Sequence, residues 1–220
     1  MTIQEFHQEI RKYAAEINGR YFSPEEIDQS IYRSTMDLFM EELRNFESLR
    51  RISDSLGHFK SAVVLTKTQN VNTVTLPPDY VTMTDDPQGQ VPGYDFRQVR
   101  MLTDHTWISQ IQSENFGATE QYPYGRLAGQ NLLQIEPMTI VNIAVYYLRK
   151  PKKNKFAYTV ASDGMSFIFA PAGSTDVEWP EIGHSRILVK ALGYLGIATR
   201  DQLQVQAQTV LENTTQPKDR

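Results

Sequence analysis

Residues 140–148, IVNIAVYYL, constrain the fold of this 220-residue chain more than any other stretch. Successive side chains of an extended strand point to opposite faces. Val141, Ile143, Val145 and Tyr147 fall on one face, and Ile140, Ala144, Tyr146 and Leu148 on the other, with Asn142 the one clearly polar member. A strand apolar on both faces belongs at the centre of a sheet covered on both sides. Pro137-Met138 turns the chain into this strand, and Pro151 follows its end.

The flanking sequence supplies partners. YPYGRLAG and NLLQIEP read as a hairpin around Gly129-Gln130, and KFAYTV with MSFIFAP as another around Ser162-Asp163-Gly164. SAVVLTKT and VNTVTLP are short β-branched runs split by a polar turn. Pro77 and Pro78 stop any ladder after the second, because proline donates no hydrogen bond. TDDPQGQVPGYDF is a loop by composition, RQVRML a strand, and Thr103 a cap for a short helix over DHTWISQIQS.

The two ends are helical. Ile3, Phe6 and Ile10 space one face of a helix over 3–18, and NGR at 18–20 stops it. Ser23-Pro24-Glu25-Glu26 forms a capping box with proline at the first helical position. The helix it opens carries Ile27, Ile31, Leu38, Phe39, Leu43 and Phe46, and a short helix follows in LRRISDSLG. Pro180 opens a C-terminal helix with Ile187, Leu188, Ala191, Leu192 and Leu195 inward, loosened at Gly196 and Thr199. A last helix spans DQLQVQAQTVLEN, and TTQPKDR is polar. Helices, then antiparallel strands, then helices predict an α+β fold, with N- and C-terminal amphipathic helices forming a bundle around or beside a central antiparallel β-domain. The expected parts are an N-terminal helical part over 1–60, a β-rich part over 61–178 with a short helix near 104–112, C-terminal helices over 179–212 and a flexible tail over 213–220.

Apolar residues make up 40% of the chain, enough for a sizeable core. A net charge of −4 argues against broad electrostatic binding of duplex nucleic acid. The absence of cysteine excludes disulfides, thiolate chemistry and Cys-type zinc sites, and fits assembly in a reducing cytoplasm. MTIQEFHQEIRKY lacks the pattern of a secretory signal, and the apolar runs fall short of a membrane span, so a soluble protein is expected.

Catalytic patterns are missing. His7, His58, His105 and His184 stand outside metal-pair spacing and read as surface or partly buried side chains. No GxxxxGK[ST] or GxGxxG occurs, and Gly183-His184-Ser185 lies in a helix rather than on the elbow of a GxSxG hydrolase. No enzyme, metal or cofactor is expected.

Two surface features remain. RKPKKNK holds Arg149, Lys150, Lys152, Lys153 and Lys155, a solvated strand-end loop or a charged contact, since packed like charges are relieved by a counter-surface. In TDVEWPEIGH, Asp176, Glu178 and Glu181 bracket Trp179 before the C-terminal helix, where acidic groups complement the helix dipole. An acidic corner and a basic loop on one chain invite a head-to-tail contact between copies, which generates a ring if the rotation closes. Tyr122, Tyr124, Tyr146 and Tyr147 serve as sheet packing or as a stacking platform for sugars or bases.

The order of these pieces resembles the head-to-tail connector (adaptor) proteins of tailed bacteriophages, including tail-tubular ring proteins and the ring proteins of crAss-like phages. LPPDYV is similar to the family's strand ending in Leu-Pro before an aspartate and an aromatic. LLQIEP…IVNIAVYYLRKP is similar to its paired strands, and VEWPEIGHSRILVKAL to its strand, acidic residue, proline and helix. The likeness covers roughly residues 20–212. It implies a structural virion protein without catalytic residues or cofactor. Twelve copies would form a ring below the portal, extending the DNA channel toward the next connector or tail protein. DNA would slide through without specific binding, and no membrane is involved. The resemblance also implies that the basic loop meets an acidic partner. TDDPQGQVPGYDF is longer than a minimal hairpin connection and would serve docking. The alternative function is a carbohydrate- or cell-surface-binding β-module built on the tyrosines; a hydrolase with distant carboxylates stands third.

Overall fold

In the computed structural model the described residues are 1–18, 21–49, 53–68, 70–113, 117–129, 131–162 and 167–197. The helix expected over 201–213 and the tail over 213–220 lie outside them. In chain order come α1 (Ile3–Asn18), α2 (Pro24–Leu49), α3 (Asp54–Gly57), β1 (Lys60–Thr66), β2 (Thr73–Thr75), β3 (Tyr80–Met83) and β4 (Gln88–Gln90). They are followed by β5 (Arg97–Gln98), β6 (Arg100–Met101), α4 (Asp104–Ile111), β7 (Tyr124–Leu127), β8 (Leu132–Glu136) and β9 (Asn142–Arg149). Last are β10 (Tyr158–Val160), β11 (Phe167–Phe169), a 3-10 turn (Glu181–Gly183) and α5 (His184–Tyr194). The fold is mixed α+β.

Two units divide the chain: Met1–His58 with the chain from Pro151 onward, and Phe59–Lys150. The division corrects the expected β-rich part over 61–178, because residues 151–178 go with the terminal helices. Asp28 of α2 holds that segment, as described below.

In the helical unit, capping boxes start both long helices. The Ser23 N–H donates to the Glu26 carboxylate at 2.8 Å and the Glu26 N–H to the Ser23 hydroxyl at 3.3 Å. Thr2 and Glu5 repeat the arrangement at α1 with the same two distances. A box of this kind satisfies two backbone donors that the helix itself leaves open. Ile3, Phe6, Ile10 and Ala14 of α1 and Ile27, Ile31, Leu38, Phe39, Leu43 and Phe46 of α2 are buried. Ser30, Ser34 and Thr35 also face inward, each hydroxyl donating to the carbonyl of Ile27, Ser30 or Ile31 in the preceding turn. Burial is tolerable because each hydroxyl has a partner. Helix α5 packs against α2 and buries Ile187, Ala191 and Leu192, whereas Leu188 and Leu195 are half-buried. Its regular turns begin at His184, with Pro180 preceding the 3-10 turn. Strands β10 and β11 pair antiparallel, as the sequence predicts, and the expected turn at Asp163-Gly164 lies outside the described residues.

In the second unit, β9 pairs with β1 along one edge, Lys60 opposite Leu148 through Thr66 opposite Asn142. Its other edge takes β4 along its first half and β3 along its second, and β5 extends the sheet beyond β4. The strand is central, as expected. Ile143, Val145 and Tyr147 are buried on one face, but the other is only partly covered: Val64, opposite Ala144, is 58% exposed. The second sheet runs β2–β8–β7–β6, with the β7–β8 hairpin where the sequence places it. Its β6–β7 pair is parallel, an exception to the antiparallel rule.

Three short strands correct the sequence reading. The expected loop TDDPQGQVPGYDF contains β4, and RQVRML divides into β5 in one sheet and β6 in the other. Val99 stands at the step between them, fully buried. A Cβ on Gly89 of β4 would meet the Val99 Cγ2 at 3.1 Å, and one on Gly125 of β7 would meet its Cγ1 at 3.0 Å. One isopropyl group thus fills the space that two glycines leave, one from each sheet. Leu76, Tyr80, Leu133, Ile135, Ile140 and the buried β9 residues complete a core shared by both sheets.

Candidate interaction surfaces

The basic run crosses the boundary between the units. Arg149 and Lys150 close the β unit. The Arg149 N–H donates to the Phe59 carbonyl at 3.0 Å, its guanidinium lies 5.8 Å from the Phe59 ring centre, and the Lys150 N–H donates to the Asp79 carbonyl at 2.8 Å. In the helical unit, burial alternates: Lys153 and Lys155 are exposed, Asn154 and Phe156 buried. The Asp28 carboxylate explains why. Its Oδ2 accepts the Phe156 N–H at 2.8 Å, and its Oδ1 accepts His7 Nε2–H at 2.9 Å and an Asn154 amide hydrogen at 3.3 Å. Lys155 and Thr175 exchange backbone hydrogen bonds at 3.0 and 2.8 Å. The lysines are therefore presented by a fixed backbone.

The acidic corner is largely occupied within its own unit. The Asp176 carboxylate accepts the Ile3 N–H at 2.7 Å, at the N-terminus of α1. The Glu178 carboxylate accepts the Lys152 N–H at 2.9 Å and stands 4.0 Å from the Lys152 ammonium. Of the expected head-to-tail charges, Lys152 and Glu178 are thus already joined in one chain. Trp179 is buried, with Gly183 against its indole: a Cβ on Gly183 would lie 2.2 Å from Nε1. Glu181 is exposed at the first turn position, and Ile182 beside it is 84% exposed.

The tyrosines do not form a platform. Tyr124 and Tyr147 are buried, Tyr146 is half-buried, and Tyr122 is 69% exposed. Elsewhere in the β unit, the exposed Tyr94 lines a cleft of about 240 Å³ together with Asp95, Arg97, Glu120 and Gln121. The Gln90 side-chain amide donates to the Tyr94 carbonyl at 2.9 Å and fixes one wall.

Sequence reasoning also missed three buried polar groups. His7 is almost fully buried, stacked on Phe156 at 4.1 Å between ring centres, with the Arg11 guanidinium 5.7 Å from that same ring. His184 donates from Nε2 to the Trp179 carbonyl at 2.8 Å, and its Nδ1 lies 2.8 Å from the Met1 nitrogen. Burial holds its pKa below the usual histidine value. His58 and His105 are exposed, as the sequence suggests. Lys67 is buried in the turn after β1, its ammonium donating to the carbonyls of Val71 at 2.6 Å and Met138 at 3.2 Å. Burial lowers its pKa, opposed by the nearby Glu136 carboxylate. His7 was legible in principle, since it sits beside Phe6 on the apolar stripe of α1; nothing local marks Lys67.

Among the described residues no group of three or more His, Asp or Glu side chains could hold a metal ion, and no helix is long and apolar enough to cross a membrane. No protein-family model matches the chain, and no curated protein matches it in sequence.

Proposed function

We propose that the protein is a structural subunit of a virion connector ring in a tailed bacteriophage. The ring, of twelve copies by family likeness, docks below the portal, extends the DNA channel and joins head to tail. In this reading the terminal helices form a bundle beside the β-domain and pack against neighbouring subunits and the portal. The β-domain builds the channel wall or the layer facing the next connector or tail protein. DNA passes without sequence-specific contact, which suits a chain of net charge −4.

The observation that carries the reading is where the family-like stretches fall. LLQIEP and IVNIAVYYLRKP supply β8 and β9, the inner strand of one sheet and the central strand of the other. LPPDYV links β2 to β3, and VEWPEIGHSRILVKAL forms the entry to α5 and the helix face on α2. The resemblance therefore spans framework strands, a framework helix and the connections that lead into them. The carbohydrate-binding alternative loses its original basis, because Tyr124 and Tyr147 are buried.

Quantitative mass spectrometry of purified particles tests the proposal. The expected copy number equals that of the portal protein, a ratio of about one for matched rings. Absence from particles, or hundreds of copies, overturns it.

A further inference from the structure

The acidic corner at Asp176–Glu181 cannot serve the basic run of a neighbouring copy as a free counter-surface, since Asp176 and Glu178 are already engaged. A different acidic surface remains open. Asp95 and Glu120 line the cleft of the β unit and form no ion pair among the described residues. Tyr94, which lines it, is 63% exposed. Two carboxylates against one guanidinium, Arg97, leave the cleft net negative. The exposed Tyr94 ring adds a face that attracts cations. Together these groups are complementary in charge to a basic side chain.

The chain carries its own match. Lys153 and Lys155 are exposed and likewise form no ion pair among the described residues. Their backbone is pinned through Asn154 and Phe156 to Asp28, so presenting them costs little ordering. Two positions apart on extended backbone, they point the same way about 7 Å apart.

We propose that the cleft between residues 91–97 and 120–121 of one copy receives Lys153 and Lys155 of the next. The contact joins two different patches, so repetition closes a ring or continues as a filament. It deepens the connector reading and rests on it for the closed ring, but the contact itself is testable alone. Exposed ion pairs are individually weak and screened by salt. Isolated copies therefore meet transiently, and a template that aligns them multiplies the effect of each contact.

The test mixes unlabelled and 15N-labelled full-length protein and applies a zero-length carbodiimide crosslinker, which joins amines to carboxylates in contact. The expected products are peptides linking Lys153 or Lys155 to Asp95 or Glu120, with mixed-isotope forms present. Lys153→Glu with Lys155→Glu should cut the mixed-isotope yield about tenfold or more, and adding Asp95→Lys with Glu120→Lys should restore it with reversed donors. Absence of these linked peptides, or their occurrence in single-isotope form only, overturns the inference. So does a cleft that binds a neutral oligosaccharide such as maltotriose, read as shifts of Tyr94 and Gln121 resonances, while ignoring the second copy. Portal-matched copy number without the crosslink refutes this contact and leaves the connector reading standing. The crosslink in a protein absent from particles does the reverse.

Discussion

His184 is where burial and pH meet in a single side chain. Its ring is half of a polar pair with the Trp179 carbonyl and touches the Phe6 ring edge-on, 5.5 Å between centres. Desolvation, helped by the Met1 ammonium, disfavours the imidazolium and outweighs the acceptor carbonyl and the Glu181 and Glu5 carboxylates, which favour it. The folded state therefore takes up its proton at lower pH than the unfolded chain, whose value is near 6.5. Because the unfolded chain binds more protons in that window, stability rises with pH there. The contribution is complete above the unfolded value and is lost as pH falls from 6.5 toward the lower folded value. Thermal unfolding should show a falling midpoint between about pH 7.5 and about pH 5.5. His184→Gln, which retains an N–H donor for the Trp179 carbonyl, should flatten that slope; an unchanged slope would mean that other groups dominate the acid response.

At the scale of elements, the step from β5 to β6 is closely packed, with Val99 between Gly89 and Gly125. Val99 cannot give way to a methyl at Gly89 without being driven toward Gly125, since its two γ carbons already face the two glycines. Ile140 closes the Gly89 side further, with side-chain carbons 3.0 and 3.1 Å from the Cβ position. Gly89→Ala should cost about 1–3 kcal/mol by overpacking. Denaturant titration of Gly89→Ala, Val99→Ala and the double variant should give less than the sum of the single losses, because the smaller side chain makes room for the methyl. Strict additivity would place the strain elsewhere. The same step explains what the sequence could and could not convey. Helix starts were legible at Ser23–Glu26 because a capping box is local chemistry, and Thr2–Glu5 could have been read the same way. The β7–β8 hairpin was legible from its turn. Strand β4 was not: Gln88-Gly89-Gln90 has no alternation, and its strand character comes from pairing with Asn142–Ala144, more than fifty residues away. Likewise the tyrosines signalled strands, but which face each occupies depends on register with partners that composition does not reveal. The interface residues divide in the same manner. Asp176 and Glu178 looked like surface charges because their partners, Ile3 and Lys152, are distant in the chain.

At the scale of the whole molecule, the β unit is a single insertion whose two ends meet. Lys60 pairs with Leu148, and the Arg149 N–H reaches the Phe59 carbonyl, so the chain enters and leaves through neighbouring strand ends. Its core is drawn from its own strands and turns: Leu76, Tyr80, Val99, Leu133, Ile135, Ile140 and the buried face of β9. Insertions with adjacent ends and a private core satisfy the conditions for independent folding, and domains of about 60 residues already manage it without disulfides or metals. Residues 59–150 expressed alone should therefore unfold cooperatively, with dispersed amide resonances. The helical unit is built differently, because α2 packs against α5 from the far end of the chain. Deleting the β unit and joining His58 to Pro151 through a short flexible linker should leave that pairing possible, since the closure entropy grows only slowly with loop length. An excised β unit that is molten, binding hydrophobic dye without cooperative melting, would show that its core needs the helical unit. In that case residues 59–150 and the segments that flank them would melt as one cooperative unit in the full chain, despite the private core of the insertion.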